Sequence, residues 1–494
     1  MKPVHPLIAG LCAAVIATTA EPASAAKLCV DPAKPAKCFG TIQAAVDAAA
    51  PGDTVTVAPL KTDPQGYREN VVVSTPSLTI QGKGKAKGSA ARERCPTTVL
   101  DGCETAVDPT VCGRASGTVS GTGSGFTIAA TGVTIRGFTI RFFLNGILLN
   151  DGADDATVRD SCFVSNRWGV FSADGASLDA TAMADRLVVE RSLFRNTSNR
   201  EVEVFGNDVV VQRNVLPIAE DGVEIRGDRS RIADNRFETC NDRCITVLGH
   251  ETTVAGNVIN SGDRPIRVSG NNPTVRENEI FAAPVNAIEI ICDVVAGGSD
   301  TASCTGGLVA DNEIHGQSDD RDGIRALGSN LTIAENIVIG VSRSGIHFEG
   351  DGGLIEENRV VRSGTQASAS VALRVEGSDN RILDNDVRLA GLVGIENVAG
   401  DRNLYRGNEV AGSGRSGIWI RAGDANEVVA NTVEDNHGEG VNNGAPATNT
   451  VIDDNGIEGN RRDVCNDGTV ASFTGNAFAT GGLATSCVVD VAVP

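Results

Sequence analysis

Charged side chains recur at fixed positions of a repeated phrase in the C-terminal two thirds of the sequence. The phrase is close to Gly-Ile-x-Val-x-Gly, as in residues 221–227 and 344–350. The residue after its first apolar position forms one series: Glu224, Thr246, Arg267, Glu289, Arg325, His347, Arg374, Glu396 and Trp419. Two further series stand three and two residues before that apolar position: Glu220, Asp242 and Asp263, then Asp221, Arg243, Arg264, Asn286 and Asp322. Carboxylates, arginines and a histidine are groups that serve in acid–base catalysis and in binding charged ligands.

The elements that position these groups belong to a repeat with a period in the twenties, which decides the architecture. Between the glycine phrases stands an asparagine phrase, and its asparagines lie mostly 21 to 24 residues apart: Asn214, Asn235, Asn257, Asn278, Asn312, Asn336, Asn358, Asn385, Asn408, Asn431 and Asn455. Each unit holds two or three short alternating strands and shows no helical periodicity. One unit cannot bury its apolar side, but stacked coils can. We predict an all-β, single-stranded right-handed parallel β-helix.

The asparagines are interpreted as structural. At one turn of every coil they can stack on each other and hydrogen-bond along the ladder. Asparagine also tolerates the left-handed conformation that such a turn requires.

The strand geometry places the Glu224 series on one face. Successive side chains of a strand point to opposite sides, so this series is predicted to face solvent. Coils are about 4.8 Å apart. Two carboxyl groups on adjacent coils are therefore separated by nearly the ~5 Å found in retaining glycosidases. Two carboxyl groups that are two coils apart approach the separation found in inverting glycosidases. The same column could hold Ca²⁺. It could also abstract a proton beside a sugar carboxylate, with Arg267 or His347 as the base.

Two groups of site residues follow. The predicted catalytic residues are Asp221, Asp242, Arg243, Asp263, Arg264, Arg267, Arg325 and His347. The predicted substrate-binding residues are Glu224, Glu289, Asp322 and Trp419. No metal ligands are assigned, and Ca²⁺ is the one cofactor that these carboxylates could hold. The competing interpretation is that Asp before Gly is an ordinary turn residue and that alternating charges are solvated cross-strand pairs.

The N-terminal segment and the net charge indicate where the protein is located and which partners it does not bind. Residues 1–25 have the pattern of a secretory signal, with Lys2, an apolar run and the small-residue site Ala23-Ser24-Ala25. We expect residues 26–125 to form an N-terminal cap and first coils with a disulfide-rich loop, and residues 126–494 to form the β-helix with a C-terminal cap. The formal net charge of −20 argues against nucleic acid and anionic membranes as partners. We expect a secreted, periplasmic or cell-surface monomer that does not insert into a membrane.

The positions of cysteine and lysine limit which disulfides, metal sites and catalytic bases the chain can form. Twelve cysteines follow the signal and fall into local groups that predict disulfides: Cys29/Cys38, Cys95/Cys103/Cys112 with Cys162, Cys240/Cys244, Cys292/Cys304 and Cys465/Cys487. A zinc site is disfavoured because there is no CxxC pair. All eight lysines lie at or before Lys87, which excludes a lysine base in the coils.

The N-terminal part of the sequence predicts one helix, and its residues resemble a segment of a known superfamily. Residues 41–50 are predicted to be a helix that begins at Thr41 as N-cap, ends before Pro51-Gly52 and covers the open apolar end of the solenoid. Residues 41–59, with Tyr67-Arg-Glu-Asn70 and Leu78-Thr-Ile-Gln-Gly82, resemble the N-terminal segment of the pectin-lyase-like superfamily. With the repeats, the resemblance covers nearly all of the mature chain.

That resemblance implies carbohydrate chemistry, since the superfamily includes polysaccharide lyases, epimerases and hydrolases. Its polygalacturonases carry Asn-Thr-Asp, Asp-Asp and Gly-His-Gly on successive coils. The corresponding coils here read Glu220-Asp221-Gly222, Asn241-Asp242-Arg243 and Asp263-Arg264-Pro265, so the carboxylates match in part and the histidine is missing. The prediction is a secreted carbohydrate-active or carbohydrate-binding β-helix whose partner is an extended polysaccharide, and whether it cleaves, epimerises or only binds stays open. The alternative is a non-catalytic structural or adhesin-like β-helix, stabilised by Ca²⁺ in one version.

Overall fold

The computed structural model describes residues 25–61, 66–85, 95–103, 123–172, 184–283, 285–291, 304–316, 321–364, 371–478 and 483–484. Within them the chain is a right-handed parallel β-helix, as predicted, in which each coil contributes short strands to three parallel sheets. The predicted signal segment lies outside these ranges except for Ala25. Residues 485–494, at the end of the segment predicted to hold the C-terminal cap, lie outside them too.

The three sheets run the length of the solenoid. Eighteen strands form the first sheet: Lys27–Val30, Thr54–Val57, Thr79–Gly82, Thr134–Arg136, Thr157–Arg159, Val188–Glu190, Val210–Gln212, Arg231–Ala233, Thr253–Ala255, Thr274–Arg276, Leu308–Ala310, Thr332–Ala334, Leu354–Glu356, Arg381–Leu383, Leu404–Arg406, Glu427–Val429, Thr450–Asp453 and Val470–Ser472. Sixteen strands form the second sheet: Val99–Asp101, Thr139–Arg141, Cys162–Val164, Leu193–Arg195, Val215–Ile218, Arg236–Phe237, Val258–Ile259, Glu279–Ile280, Glu313–His315, Ile337–Ile339, Arg359–Val361, Asp386–Arg388, Glu409–Ala411, Thr432–Glu434, Gly456–Glu458 and Ala477–Phe478.

The third sheet carries the predicted site. Its strands are Val71–Val73, Ser124–Ile128, Asn145–Leu149, Trp168–Ser172, Arg200–Phe205, Asp221–Arg226, Cys240–Leu248, Gly262–Ser269, Ile288–Ile291, Ile324–Leu327, Ile346–Glu349, Val371–Glu376, Val393–Ala399, Ile418–Ile420, Glu439–Asn443, Arg462–Asn466 and Leu483–Ala484. A small separate pair joins Gly423–Asp424 to Ala447–Thr448. The core inside the three sheets consists of Val and Ile columns with a few stacked phenylalanines, such as Phe163 on Phe194 at 4.7 Å between ring centroids.

The predicted asparagine ladder is present between the first and second sheets. Asn257 is a typical member: it is fully buried, and its Nδ2 donates to Oδ1 of Asn278 at 3.0 Å. The Asn257 backbone N–H donates to the same oxygen at 3.0 Å. This pattern continues from Asn214 to Asn476, so the ladder satisfies buried backbone groups at one turn of each coil.

The left-handed residue of this turn is not the asparagine. The residue before it has positive φ instead, as in Asp234 at 56° and Glu357 at 54°. The expectation that asparagine supplies this conformation is therefore wrong. The asparagine side chain must point along the ladder to reach the next coil, so the reversal of the chain falls on its predecessor.

The single α-helix among the described residues spans Ile42–Asp47. Thr41 is its N-cap as predicted, and its Oγ1 accepts a hydrogen bond from the Ala44 N–H at 3.2 Å. The helix is shorter than the predicted 41–50, because the chain leaves it at Ala48 and Asp53 accepts the N–H of residue 50. It packs against the first strands, and its role as a cap stays a prediction. No helix of the described ranges is long and apolar enough to cross a membrane.

Disulfides tie the coils locally. The bonds Cys29–Cys38, Cys95–Cys162 and Cys240–Cys244 are formed, in agreement with the predicted groups. Cys103, Cys304 and Cys465 are disulfide-bonded as well. The remaining members of the predicted groups, Cys112, Cys292 and Cys487, lie outside the described residues.

Candidate functional site

The third sheet aligns the predicted outward series in one column. Cα partners in successive coils run without interruption from Glu203 through Glu224, Thr246, Arg267, Glu289, Arg325, His347, Arg374, Glu396 and Trp419. We call this series the charged column. The register predicted from the sequence is confirmed.

Several members of the charged column are nevertheless buried. Glu224 is 5% exposed, His347 3% and Glu396 4%, so the prediction that they face solvent is wrong. Long side chains from the flanking positions cover them. Glu224, for example, lies under two guanidinium groups, those of Arg200 at 3.1 Å and Arg226 at 2.8 Å. These charges are held in ion pairs within the protein.

The first cluster is at the N-terminal end of the charged column. We call Asp221, Asp242, Arg243 and Arg264 the Asp221 cluster. Asp242 is close to both arginines, with Oδ1 3.7 Å from Nη1 of Arg264 and Oδ2 3.9 Å from Nε of Arg243. Asp221 lies 3.4 Å from Nε of Arg200, and its Oδ1 is buried without a hydrogen-bond partner among the described residues.

The two carboxyls of this cluster differ in environment. Burial raises the pKa of Asp221; the Arg200 charge opposes this, and the neighbouring Asp242 charge adds to the rise. Asp242 has a side chain 45% exposed. A half-buried carboxyl with a raised pKa therefore stands beside a more exposed one, which is a typical arrangement of a general acid and its partner.

Two other predicted residues continue from this cluster. Asp263 lies in the strand Gly262–Ser269 and is half-buried. In the same strand, Nε of Arg267 is 3.8 Å from Oε2 of Glu289 in the next coil. The pair is about one fifth exposed and lies midway along the charged column.

The second cluster surrounds His347. We call Asp322, His347, Glu349 and Glu376 the His347 cluster. Nδ1 of His347 is 3.2 Å from Oδ2 of Asp322, which is itself buried. Nε2 is 3.2 Å from Oε1 of Glu349 and 3.4 Å from Oε1 of Glu376. The imidazole therefore lies between one buried carboxylate and two partly exposed ones.

Three arginines balance the charge of the His347 cluster. Arg374 donates to Oε1 of Glu376 through Nη2 at 2.7 Å, Nη2 of Arg325 lies 3.4 Å from Oε1 of Glu349, and Nε of Arg343 lies 3.7 Å from Oδ1 of Asp322. Burial alone would raise the pKa of Asp322, but the bond to His347 and nearby positive charge hold it below its usual value. The pKa of Glu376 is likewise lowered, since Arg374 and His347 outweigh the effect of burial.

The C-terminal end of the charged column carries the predicted aromatic residue. Guanidinium groups of Arg415 and Arg421 lie over the Trp419 ring, 5.2 and 5.6 Å from its centroid. These residues line a cavity of ≈ 260 Å³ together with Glu439, Asn442, Gly444, Ala445, Pro446 and Asp467. A sugar that stacks on the ring must displace one of these arginines.

The structure thus brings Asp221, Asp242, Arg243 and Arg264 together in one cluster and Asp322 and His347 in another. The Arg267–Glu289 pair lies between the two clusters, and Trp419 lies beyond both. Sequence reasoning missed Glu349 and Glu376. Both were recoverable, because Glu349 stands two residues after His347 and therefore on the same face, and Glu376 is its Cα partner in the next coil.

A third carboxyl that the sequence analysis missed is Glu201. It is fully buried, and neither of its oxygens has a hydrogen-bond partner among the described residues. Equivalent positions of neighbouring coils hold Gly169 and Gly222, each of which lies against a buried phenylalanine ring. Burial, then the charges of Asp221 and Glu220, raise the pKa of Glu201 well above its usual value. The nearby backbone N–H groups of Glu201 and Glu220 oppose this rise without reaching hydrogen-bond geometry.

Comparison with known proteins agrees with the architecture. The family described as "Right handed beta helix region" matches residues 221–373 and 322–478. No curated protein sequence matches the chain significantly.

Among solved structures, the chain is similar to the A-module of the Azotobacter vinelandii mannuronan C-5 epimerase AlgE4, with 12% identity, a TM-score of 0.33, and 90% of this chain and 95% of that chain covered. It is also similar to the DFA-IIIase of Arthrobacter chlorophenolicus A6, with 14% identity, a TM-score of 0.41, and 69% and 86% covered. A third is the GH87 α-1,3-glucanase of Streptomyces thermodiastaticus, with 15% identity, a TM-score of 0.33, and 82% and 66% covered. Nothing about substrate follows from similarity at this level.

Proposed function

The chain belongs to the right-handed β-helix family, and we propose that it is an exported, carbohydrate-active protein that holds an extended acidic polysaccharide along the charged column. The observation that carries this proposal is the column itself: ionic and aromatic side chains in register on consecutive coils of one sheet. Coils repeat about every 4.8 Å, so the column offers evenly spaced contacts to a linear chain of repeating sugars. The disulfides fit an oxidising, extracytoplasmic setting.

Arginines of the charged column would bind the sugar carboxylates. Arg267, Arg325 and Arg374 have side chains 20%, 34% and 21% exposed, so each reaches solvent while it stays anchored by a glutamate. A guanidinium in this position matches the two oxygens of a carboxylate. An acidic polysaccharide is therefore favoured over a neutral one.

The Asp221 cluster would be the reaction centre. Asp221, whose pKa is raised, would protonate the glycosidic oxygen of the leaving group. Asp242 would be the second carboxylate of the pair and would act at the anomeric centre of the sugar. Arg243 and Arg264 are poorer candidates for a base, because a guanidinium group stays protonated in proteins and both groups lie within 4 Å of Asp242. The geometry therefore favours hydrolysis over β-elimination.

The test is binding and product analysis on a panel of acidic and neutral polysaccharides. Arg267→Ala/Arg325→Ala removes two charge-assisted contacts of about 1.5–3 kcal/mol each, so affinity is expected to fall at least ~100-fold. The matched control is Arg229→Ala/Arg402→Ala, which removes two exposed arginines paired to Asp208 and Asp379 away from the charged column.

Both double variants change the net charge equally, so non-specific electrostatics would weaken both. Equal binding by the two variants would contradict the proposal. Reducing ends without ultraviolet absorbance of unsaturated ends are expected from wild type and not from Asp221→Asn. Unsaturated ends would establish β-elimination and remove Asp221 as the acid.

A second candidate is a structural or adhesin-like role without catalysis. The observation in its favour is that many column charges already have partners inside the protein, as Glu224 does with Arg200 and Arg226. This candidate predicts no polysaccharide binding and similar stability losses for substitutions on all three faces. We expect a monomer in either case, which sedimentation would test.

A further inference from the structure

We propose that the His347 cluster is a binding site for a divalent first-row transition ion such as Zn²⁺, with Nε2 of His347 and one carboxylate oxygen each of Glu349 and Glu376 as ligands. These three ligand atoms lie within 4.8 Å of one another. The set combines one imidazole and two carboxylates on two adjacent coils. It is the only such grouping of three or more candidate ligands within the described residues.

The spacing fits an ion without rearrangement of the backbone. Nε2 of His347 is 3.2 Å from Oε1 of Glu349 and 3.4 Å from Oε1 of Glu376. Zinc–ligand bonds of about 2.0–2.1 Å in a tetrahedron separate neighbouring ligands by ~3.3 Å. Two edges of the tetrahedron are therefore already at the right length. The side chains of both glutamates are about one third exposed, which leaves an entry path from solvent.

The orientation of the imidazole points to the same conclusion. Nδ1 of His347 faces Oδ2 of the buried Asp322 at 3.2 Å, so the Nδ1–H group donates a hydrogen bond to this carboxylate. A histidine that binds a metal through one ring nitrogen usually donates a hydrogen bond from the other ring nitrogen to a carboxylate, which fixes the orientation of the ring. In the neutral ring Nε2 is then an acceptor that faces two carboxylate oxygens, which are acceptors too. The arginines reach the two glutamate oxygens but not Nε2, and a second ring proton or a metal ion would satisfy the contacts between Nε2 and these oxygens.

The ligand types select the class of ion. Imidazole nitrogen with two carboxylates suits Zn²⁺ and its first-row neighbours. Ca²⁺ prefers six to eight oxygens and does not favour a nitrogen ligand. The Ca²⁺ considered from the sequence is therefore not the ion expected here.

The site would have open positions, because only three protein ligands converge. Arg325, Arg343 and Arg374 offset the three carboxylates of the cluster, so a bound ion makes the local charge positive. An anion is then the favoured fourth ligand. On the basis of the proposed function, that anion is a carboxylate of the acidic polysaccharide on the charged column; the ion site itself does not depend on that function.

The experiment is a titration of tag-free, metal-stripped protein with Zn²⁺ by calorimetry and with Co²⁺ by visible absorption. We expect one site in wild type, with tetrahedral Co²⁺ bands. His347→Ala is expected to lose the site and its bands. Asp322→Asn, which removes only the outer-shell contact, is expected to weaken binding 10–100-fold. The matched control is His315→Ala, since Nε2 of His315 faces a single carboxylate, that of Glu313, at 2.7 Å.

The proposal is overturned if wild type binds no Zn²⁺, if His347→Ala binds it equally well, or if Ca²⁺ binds in its place. Circular dichroism of each variant distinguishes loss of the site from loss of the fold. A separate titration with an acidic oligosaccharide, with and without Zn²⁺, tests the fourth ligand. If Zn²⁺ binds but leaves the affinity for the oligosaccharide unchanged, only the assignment of a sugar carboxylate as the fourth ligand is overturned. Absent sugar binding with an intact ion site contradicts the proposed function instead.

Discussion

Replacement of Glu201 by glutamine should change how stability depends on pH. The carboxyl is fully buried without a hydrogen-bond partner among the described residues, and its pKa in the folded protein is raised well above its usual value. A group with a raised folded pKa favours the folded state while it is protonated in both states. That advantage is lost as pH rises from the unfolded pKa, about 4.3 for glutamate, through the folded pKa.

The magnitude follows from proton linkage. Between the two pKa values, the folded state keeps a proton that the unfolded state has released. Each pH unit in this interval therefore lowers the free energy of unfolding by about 1.4 kcal/mol, and two units by about 2.7 kcal/mol. Glu201→Gln has nothing to titrate at this position, so its curve should lack this slope. The two proteins should be nearly equal near pH 4, and the variant should be more stable at pH 7.

The assay is urea denaturation at unit pH steps between 4 and 8. Glu203→Gln is the matched control, because Glu203 lies two residues along the same strand with its carboxylate bonded to Arg200 at 2.7 Å and to Trp168 at 3.1 Å. This control should lose stability without the gain seen in Glu201→Gln. Parallel pH curves for wild type and Glu201→Gln would refute the reasoning, since they would mean that the carboxyl is solvated or paired.

Two further predictions concern the stacking of the coils. Asn278→Ala should lower the free energy of unfolding by about 2–5 kcal/mol, because its Oδ1 accepts two bonds from Asn257 and its Nδ2 donates to Asn312 at 2.9 Å, so that buried polar groups lose their partners. Gly222→Ala should cost about 1–3 kcal/mol or more. Its new Cβ would stand 2.3 Å from the backbone oxygen of Cys244. Urea midpoints at neutral pH measure both.

The chain offers a control for each. Asn241→Ala removes an exposed amide that bonds Glu220 at 2.7 Å, and should change stability by less than about 1 kcal/mol. Gly456→Ala adds a methyl group where no atom lies within 4 Å. Equal losses in Asn241→Ala and Asn278→Ala would contradict the role of the ladder. Unchanged stability in Gly222→Ala would mean that adjacent coils can separate.

The repeat period and strand alternation were enough to predict the fold and the register of the charged column. Both depend on local rules: a strand alternates its side chains, and an in-register parallel stack repeats the same position every coil. For this reason the alignment from Glu224 to Trp419 could be predicted from spacing alone. The same rules predicted the asparagine ladder, whose members recur at the coil period.

Burial and partners could not be predicted in this way. Glu224 and His347 point outward as expected, yet both are covered, because arginines and carboxylates from flanking positions fold over them. Glu201 shows the opposite case, a carboxyl at a position where neighbouring coils hold glycine. Which way a long charged side chain lies depends on every group around it, and those groups come from different coils.

The sequence by itself therefore determined the solenoid, its repeat and which residues share a face. Only the tertiary structure decided which of them touch: that Glu349 and Glu376 join His347, and that Asp221 stands apart from them at the other end of the column. The physical reason is one of range. Backbone periodicity acts within a few residues, whereas ion pairs and buried charges depend on distances of 3 to 4 Å between side chains far apart in sequence.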